Sequence, residues 1–304
     1  ISFPQNRTRF IITTFLQKCN LNCTKPKERA DFETACYEEA AIRGYFSAHG
    51  TESLKPYMPG GLSMSANAYS HLENPSTKIF ICLYTAFLIY LDDCFQKDVE
   101  AVTEFNERFV SSREQKGKLL DDFASLLIEV PTHFCKIASN IIITATLNLV
   151  TALLIEQEAK KLKLEKAAEK YATFTRVMSG ASEAYALFAF SPEIPISVYV
   201  QALPDLMVFI NNGNDILSFY KEERRGEECN RVSLLAQYRQ VSKHVVLQGL
   251  ADEAVAAHQR VLQMLSHHTQ AYDAYVKFSI GYVQFHTALS RYRLVELGFP
   301  SPVY

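Results

Sequence analysis

The sequence contains no tryptophan, and only eleven glycines and eleven prolines occur in its 304 residues. So few turn-forming residues disfavour a sandwich or barrel, whose many tight turns depend on them. An excess of one charge is missing as well: 31 basic side chains stand against 33 acidic ones, a net charge of −2. This leaves no basic footprint for a nucleic acid, and none is expected as a partner. Nor is there a run of membrane length. Residues 79–91 (IFICLYTAFLIYL) and 141–155 (IIITATLNLVTALLI) fall short of the roughly 20 residues a span needs. Both read as helices buried on nearly all sides, so a soluble protein is expected.

What is present is an ordinary globular balance, 48% hydrophobic and 21% charged, which excludes disorder. Its unusual component is aromatic: 20 Phe and 16 Tyr. Seven cysteines, odd in number and scattered through apolar stretches, fit a reduced cytoplasmic protein better than a disulfide scaffold. Cys19 and Cys23 lack a His/Cys pair at metal-ligand spacing, so zinc is not expected. The chain begins at Ile1 rather than Met, so an N-terminus that is trimmed or lies further upstream is expected, which leaves a targeting peptide open although none is visible. Length alone would allow two domains, but there is no linker, repeat or low-complexity segment to divide them. A single domain spanning residues 1–304 is expected.

Helical signals recur from end to end. Pro26 suits the first turn of a helix over 26–48. Asn74-Pro75-Ser76-Thr77 supplies a break and N-cap residues ahead of the run to Leu91. Pro131 ends a segment over 116–130 and opens a long stretch to about residue 160. Further helical stretches are read over 164–190, 203–223, 231–239, 242–266 and 269–296, and period-two alternation is nearly absent. The expected fold is all-α, with about ten or eleven helices.

Two constellations carry chemistry. Leu91-Asp92-Asp93-Cys94-Phe95-Gln96-Lys97-Asp98 closes the apolar 79–91 helix. Adjacent carboxylates there are costly unless hydrated, paired or bound to a cation. They suit Mg²⁺, which takes one or two carboxylates together with phosphate oxygens. The alternative is a solvated helix end, although acids at a helix C-terminus oppose its dipole. The second is Asn214-Asp215-Ile216-Leu217-Ser218-Phe219-Tyr220-Lys221-Glu222. Residues 214, 218 and 222 share one helix face and offer amide, hydroxyl and carboxylate oxygens, a hard donor set. The polar face of an ordinary amphipathic helix would look similar.

The pattern N-D-x-x-S-x-x-x-E, with an aspartate-rich segment about 120 residues upstream, resembles the class I terpene synthases, and within them the fungal trichodiene synthase family. Gly281-Tyr282-Val283 with His286, and Ser290-Arg291-Tyr292-Arg293-Leu294, add to the resemblance, as does Tyr171-x-x-Phe174-x-Arg176-x-Met178-x-Gly180. These elements keep the family's order from residue 92 to residue 294. The resemblance implies a class I terpenoid synthase fold around a central cavity, three Mg²⁺ ions, and a prenyl diphosphate substrate with diphosphate as co-product. By resemblance Asp92 is the principal metal ligand, Asp93 pairs with Arg291 in a closed state, and Asn214, Ser218 and Glu222 bind the third ion. Arg176 would sense the diphosphate, with Ser179 as linker and Gly180 as effector at a helix break. Lys221, Arg291 and Tyr292 would contact the diphosphate. No role follows for His286.

One position departs from the family. Its third acid would fall at position 96, which is Gln96, and Asp98 lies two residues beyond, roughly on the opposite side of a helix. The implied reaction suits the residue types. Clustered cations neutralise a departing diphosphate, a dry pocket protects the carbocation, and aromatic faces stabilise it. Helical spacing selects Tyr84, Leu88, Phe285, Tyr185 and Phe188 as candidate walls, each equally readable as plain core. Farnesyl diphosphate and a sesquiterpene product are the expectation, making the protein a lyase of isoprenoid secondary metabolism. Two alternatives remain: a chain-elongating prenyltransferase, for which Asp121-Asp122 is the other Asp pair, and a catalytically silent helical binding protein. Monomer and homodimer are equally compatible with the sequence.

Overall fold

A computed structural model describes residues 3–22, 30–46, 53–95, 99–159 and 165–304. Among these the chain forms α-helices with short 3₁₀ turns, and its β pairing is an isolated bridge between Phe46 and Ser53. The helices are α1 (Phe3–Lys18), α2 (Ala30–Ile42), α3 (Met58–Ala68), α4 (Pro75–Phe95), α5 (Val99–Thr103), α6 (Phe105–Val110), α7 (Lys118–Ile128) and α8 (Val130–His133). They continue as α9 (Lys136–Ala159), α10 (Lys170–Ser179), α11 (Ser182–Phe188), α12 (Ile196–Tyr199), α13 (Leu203–Arg225), α14 (Arg231–Arg239), α15 (Lys243–Leu265) and α16 (Thr269–Ala288). Eleven of the sixteen have nine residues or more, matching the expected number; the other five are short turns that periodicity cannot detect.

Local chemistry sets several boundaries. Asn74 Oδ1 accepts from the amides of Ser76 and Thr77 at 2.9 and 3.4 Å and starts α4, with Pro75 in its first position. Asn230 Oδ1 accepts from Ser233 N and starts α14. Helix α13 stops at Gly226, which takes the left-handed conformation (φ 68°). Four boundaries differ from expectation, the first being that of the helix read over 26–48: α2 ends at Ile42, and Pro26 lies outside the described residues. Pro131 lies inside the four-residue α8, and the long helix begins only at Lys136. The 164–190 stretch is broken at Gly180 and Ala181, the latter at φ 43°. The last stretch leaves the α conformation after Ala288 and continues as 3₁₀ turns at Ser290–Tyr292 and Leu294–Leu297.

Helix α9 extends the 141–155 run on both sides to 24 residues. By length and composition it could cross a membrane, yet half of its most apolar stretch is buried within the fold. A core helix passes the same test. One hydrophobic cluster runs from Ile11 in α1 to Leu297. Helix α3 packs between α4 and α16. A Cβ at Gly61 would collide with the Cys82 carbonyl, and one at Gly281 with the Asn67 carbonyl, so those backbones are in contact. Helices α13, α15 and α11 pack around the other side of the core.

Candidate active site

A cleft of about 340 Å³ opens among α4, α9, the α10–α11 break, α13 and α16. Its apolar part is lined by Met64, Leu88, Ile89, Leu149, Leu153, Ile210, Tyr185, Tyr282 and Phe285. Its mouth carries Asp92, Arg176, Asn214, Lys221, Glu222, Arg291 and Tyr292. A larger cleft of about 650 Å³, bordered by residues 71–77, 191–194 and 270–277, lies at the opposite ends of α4 and α16. It gathers none of the candidate catalytic, metal-binding or substrate-binding residues read from the sequence.

Helix α13 builds one side of the mouth. Arg176 Nε donates to Asp215 Oδ1 at 2.7 Å, and its Nη2 donates to Asn214 Oδ1 at 3.1 Å and to the Asn211 carbonyl at 3.3 Å. Asp215 Oδ2 accepts from Arg231 Nη1 at 3.3 Å, and the same nitrogen donates to Asn212 Oδ1 at 2.6 Å. One buried carboxylate thus holds two arginines, one before α13 in sequence and one after it. Ser218 Oγ donates to Glu222 Oε1 at 2.5 Å. Lys221 Nζ lies 3.7 Å from Glu222 Oε1 and 5.8 Å from the Tyr292 ring centroid. Asn214 Nδ2 faces His286 Nε2 at 3.2 Å.

Gly180 stands where a larger residue would have to displace the Asn211 side chain. A Cβ there would meet Asn211 Oδ1 and crowd Arg176, and Ala181 then turns the chain into α11. The break therefore brings Arg176 against α13 and points Tyr185, whose hydroxyl donates to Thr85 Oγ1 at 3.3 Å, into the cleft.

Helix α4 supplies the opposite rim. Asp92 is exposed there but crowded by protein around its carboxyl, and burial followed by the charge of Asp93 raises its pKa, while Arg291 and Lys221 oppose the shift. Glu222 is also raised, first by burial, against the pull of Lys221 and Ser218. Burial lowers the pKa of Lys221, partly offset by Glu222. His286, fully enclosed, is pushed down to about 3 by burial and stays neutral. Carboxylates held above their usual range beside a polar rim gain from a bound cation.

The structure brings Asp92, Arg176, Gly180, Asn214, Lys221, Glu222, Arg291 and Tyr292 to one mouth, with Leu88, Tyr185 and Phe285 below. Ser218 joins through Glu222. Asp93 points elsewhere: it is exposed, borders no part of the cleft and forms no ion pair with Arg291. Tyr84 and Phe188 stand behind the wall. The Tyr84 hydroxyl bonds Thr146 Oγ1 at 2.8 Å, and its ring meets Phe188 at 5.2 Å, edge to face. Gln96 and Asp98 lie outside the described residues. Asp121 and Asp122 are engaged away from the cleft, with Gln115 N and Lys118. Sequence reasoning quoted Asp215, Tyr282 and His286 within the family-like segments without giving them a role, and it missed Arg231. It also missed Leu149 and Leu153, whose four-residue spacing in an apolar run was an available signal.

Known proteins resemble this chain in both sequence and fold. The family described as Trichodiene synthase (TRI5) matches residues 63–298. Alpha-cuprenene synthase COP6 of Coprinopsis cinerea is 32% identical over 288 residues, covering 94% of this chain and 89% of its own. Monoterpene synthase 25 of Postia placenta is 34% identical, covering 85% and 79%. Among solved structures, linalool/nerolidol synthase of Streptomyces clavuligerus superposes with a TM-score of 0.64 at 12% identity, over 88% of this chain and 99% of its own.

Proposed function

The chain belongs to the trichodiene synthase family, and on that footing we propose that it ionises an allylic prenyl diphosphate, farnesyl diphosphate above all, and cyclises the cation to a sesquiterpene as a single-domain carbon–oxygen lyase. The observation that carries this reading is the composition of one cleft. Three cationic side chains and a set of hard oxygen donors share its mouth, and below them lies a wall of aliphatic and aromatic side chains.

The residues fit Mg²⁺. Among the described residues no three His, Cys, Asp or Glu side chains cluster as a self-sufficient metal site. The three expected ions would therefore draw on mixed donors, two of them on Asp92 at one rim and the third on Asn214, Ser218 and Glu222 at the other, with phosphate oxygens completing their shells. Bound there, Mg²⁺ would supply charge neutralisation to the leaving diphosphate. Of this chain's own groups, Arg176, Lys221 and Arg291 donate to diphosphate oxygens as the C–O bond breaks and its electron pair departs with the leaving group. Tyr292 closes the mouth beside Lys221. The apolar wall excludes water from the cation, and Tyr185, Tyr282 and Phe285 present π faces to it. The second Asp pair lies away from the cleft, which supports cyclisation over chain elongation.

Incubation with geranyl, farnesyl and geranylgeranyl diphosphates, with and without Mg²⁺, tests the proposal by gas chromatography with mass spectrometry. A Mg²⁺-dependent cyclic C15 product from farnesyl diphosphate is expected. Turnover confined to geranyl diphosphate would replace the C15 assignment with C10. A longer prenyl diphosphate formed with isopentenyl diphosphate would overturn cyclisation.

A further inference from the structure

The His286 imidazole is fully buried, and both of its nitrogens are committed. Nδ1 lies 2.8 Å from the Tyr282 carbonyl oxygen, one turn back on α16. A carbonyl can only accept, so Nδ1 carries the proton and Nε2 of the neutral ring is a bare acceptor. The group facing Nε2 is Asn214 Nδ2, at 3.2 Å. The other end of that amide is determined by the same reasoning. Arg176 Nη2 can only donate, and it lies 3.1 Å from Asn214 Oδ1. Turned end for end, the amide would set donor against donor at Arg176 and acceptor against acceptor at His286. The ring cannot swing away, because Tyr282, Phe285 and Tyr292 enclose it with centroids 4.8, 4.7 and 4.6 Å away.

Resting on the reading of Asn214 as a cation ligand, we propose that His286 is a positioning residue that holds the Asn214 amide by its nitrogen and keeps the carbonyl oxygen turned to the cleft mouth. The two ends of an amide differ in chemistry but scarcely in shape, so an asparagine ligand needs a device to tell them apart. Arg176 also favours this orientation, but its guanidinium is the group a diphosphate draws to itself. Once it turns to the substrate, His286 and the Tyr292 hydroxyl remain at the amide, and of these only the bare acceptor of His286 tells nitrogen from oxygen, since a hydroxyl can donate or accept. A carboxylate at position 214 would need no such device, since both of its ends are oxygens.

The test uses the full chain with Mg²⁺ and inorganic pyrophosphate, with binding read by calorimetry and thermal shift independently of turnover. His286→Phe keeps an enclosed ring and removes Nε2. It is expected to raise the half-saturating Mg²⁺ concentration by about 10–100-fold, the usual effect of removing a group that supports a metal ligand. In an Asn214→Asp background the same change is expected to cost no more than about threefold, because the coupled partner is gone. His286→Gln, which returns an acceptor, is expected to stay near wild type and carries the test if the Phe variant does not fold. Wild-type Mg²⁺ dependence in folded His286→Phe, or equal losses in both backgrounds, would overturn the proposal, as would a Phe-sized loss in His286→Gln. Unchanged Mg²⁺ dependence in Asn214→Ala would instead overturn the ligand reading beneath it.

Discussion

On α4 the acids arrive where an apolar helix runs out into solvent; on α13 polar residues are buried in mid-helix and hydrogen-bonded before any ligand arrives. Asp92 and Asp93 are exposed, and neither makes a hydrogen bond or ion pair among the described residues. Across the cleft, Asn214, Asp215, Ser218 and Glu222 are each engaged, with Arg176, Arg231 and His286 as the outer partners. The α13 rim is thus organised in advance, at a desolvation cost that its arginines offset. The α4 rim has its order left to be completed by what binds. A site built this way can admit a charged substrate and tighten around it afterwards.

The most severe disruption of this contrast is Asp215→Ala. It strands Arg176 and Arg231 in a buried setting, and unfolding without ligand is expected to become easier by about 3–5 kcal/mol, measured by urea titration. Asp92→Asn on the other rim is expected to leave ligand-free stability unchanged or slightly raised, because the replaced carboxyl is already disfavoured as an anion. Its turnover should fall by about 10²–10³-fold, the scale of a lost transition-state contact. If Asp92→Asn unfolds the protein as Asp215→Ala does, the two rims do not differ as described.

A smaller effect comes from behind α13. His258 on α15 packs against Phe209 at 5.3 Å, hydrogen-bonds the Tyr275 hydroxyl at 2.7 Å, and has its pKa lowered from 6.5 to about 4 by burial. The unfolded chain takes up that proton below pH 6.5, and the folded one does so only near pH 4. Stability therefore falls as pH drops through this window, by about 1.4 kcal/mol per unit for one such group. His258→Phe should flatten that part of a melting-temperature profile; an unchanged slope would remove His258 from the account. Smallest of all is the contrast within α4. Leu88→Phe should redistribute products, while Tyr84→Phe, behind the wall, should leave their ratios alone and cost about 1 kcal/mol through its Thr146 hydrogen bond.

Much of the site was legible because its spacing lies within single helices. The 3.6-residue repeat set Asn214, Ser218 and Glu222 on one face and an apolar run ending in acid marked Asp92, but an ordinary polar face would look the same, and the expected roles came with the family resemblance. Tyr84 and Leu88 show the limit of that method. Both are about whole turns from Asp92, yet Leu88 meets the cleft while Tyr84 is covered by Phe188 and Tyr185. Periodicity gives a face, and which neighbour covers that face is a tertiary fact. Asp121-Asp122 carried the same ambiguity until its partners proved to be local.

Composition and pattern by themselves determined an all-helical chain, most of its long helices though not α1 or α3, and the acid, amide and hydroxyl residues of two motifs. These follow from local periodicity, capping and charge, which act over a few residues. Only the tertiary structure decided that Arg231, which precedes no recognisable motif, shares a carboxylate with Arg176. It also decided that His286, without a role in the sequence, grips the amide of Asn214. Both contacts join residues far apart in the chain, and the direction of a hydrogen bond between buried groups exists only once packing has excluded water from both.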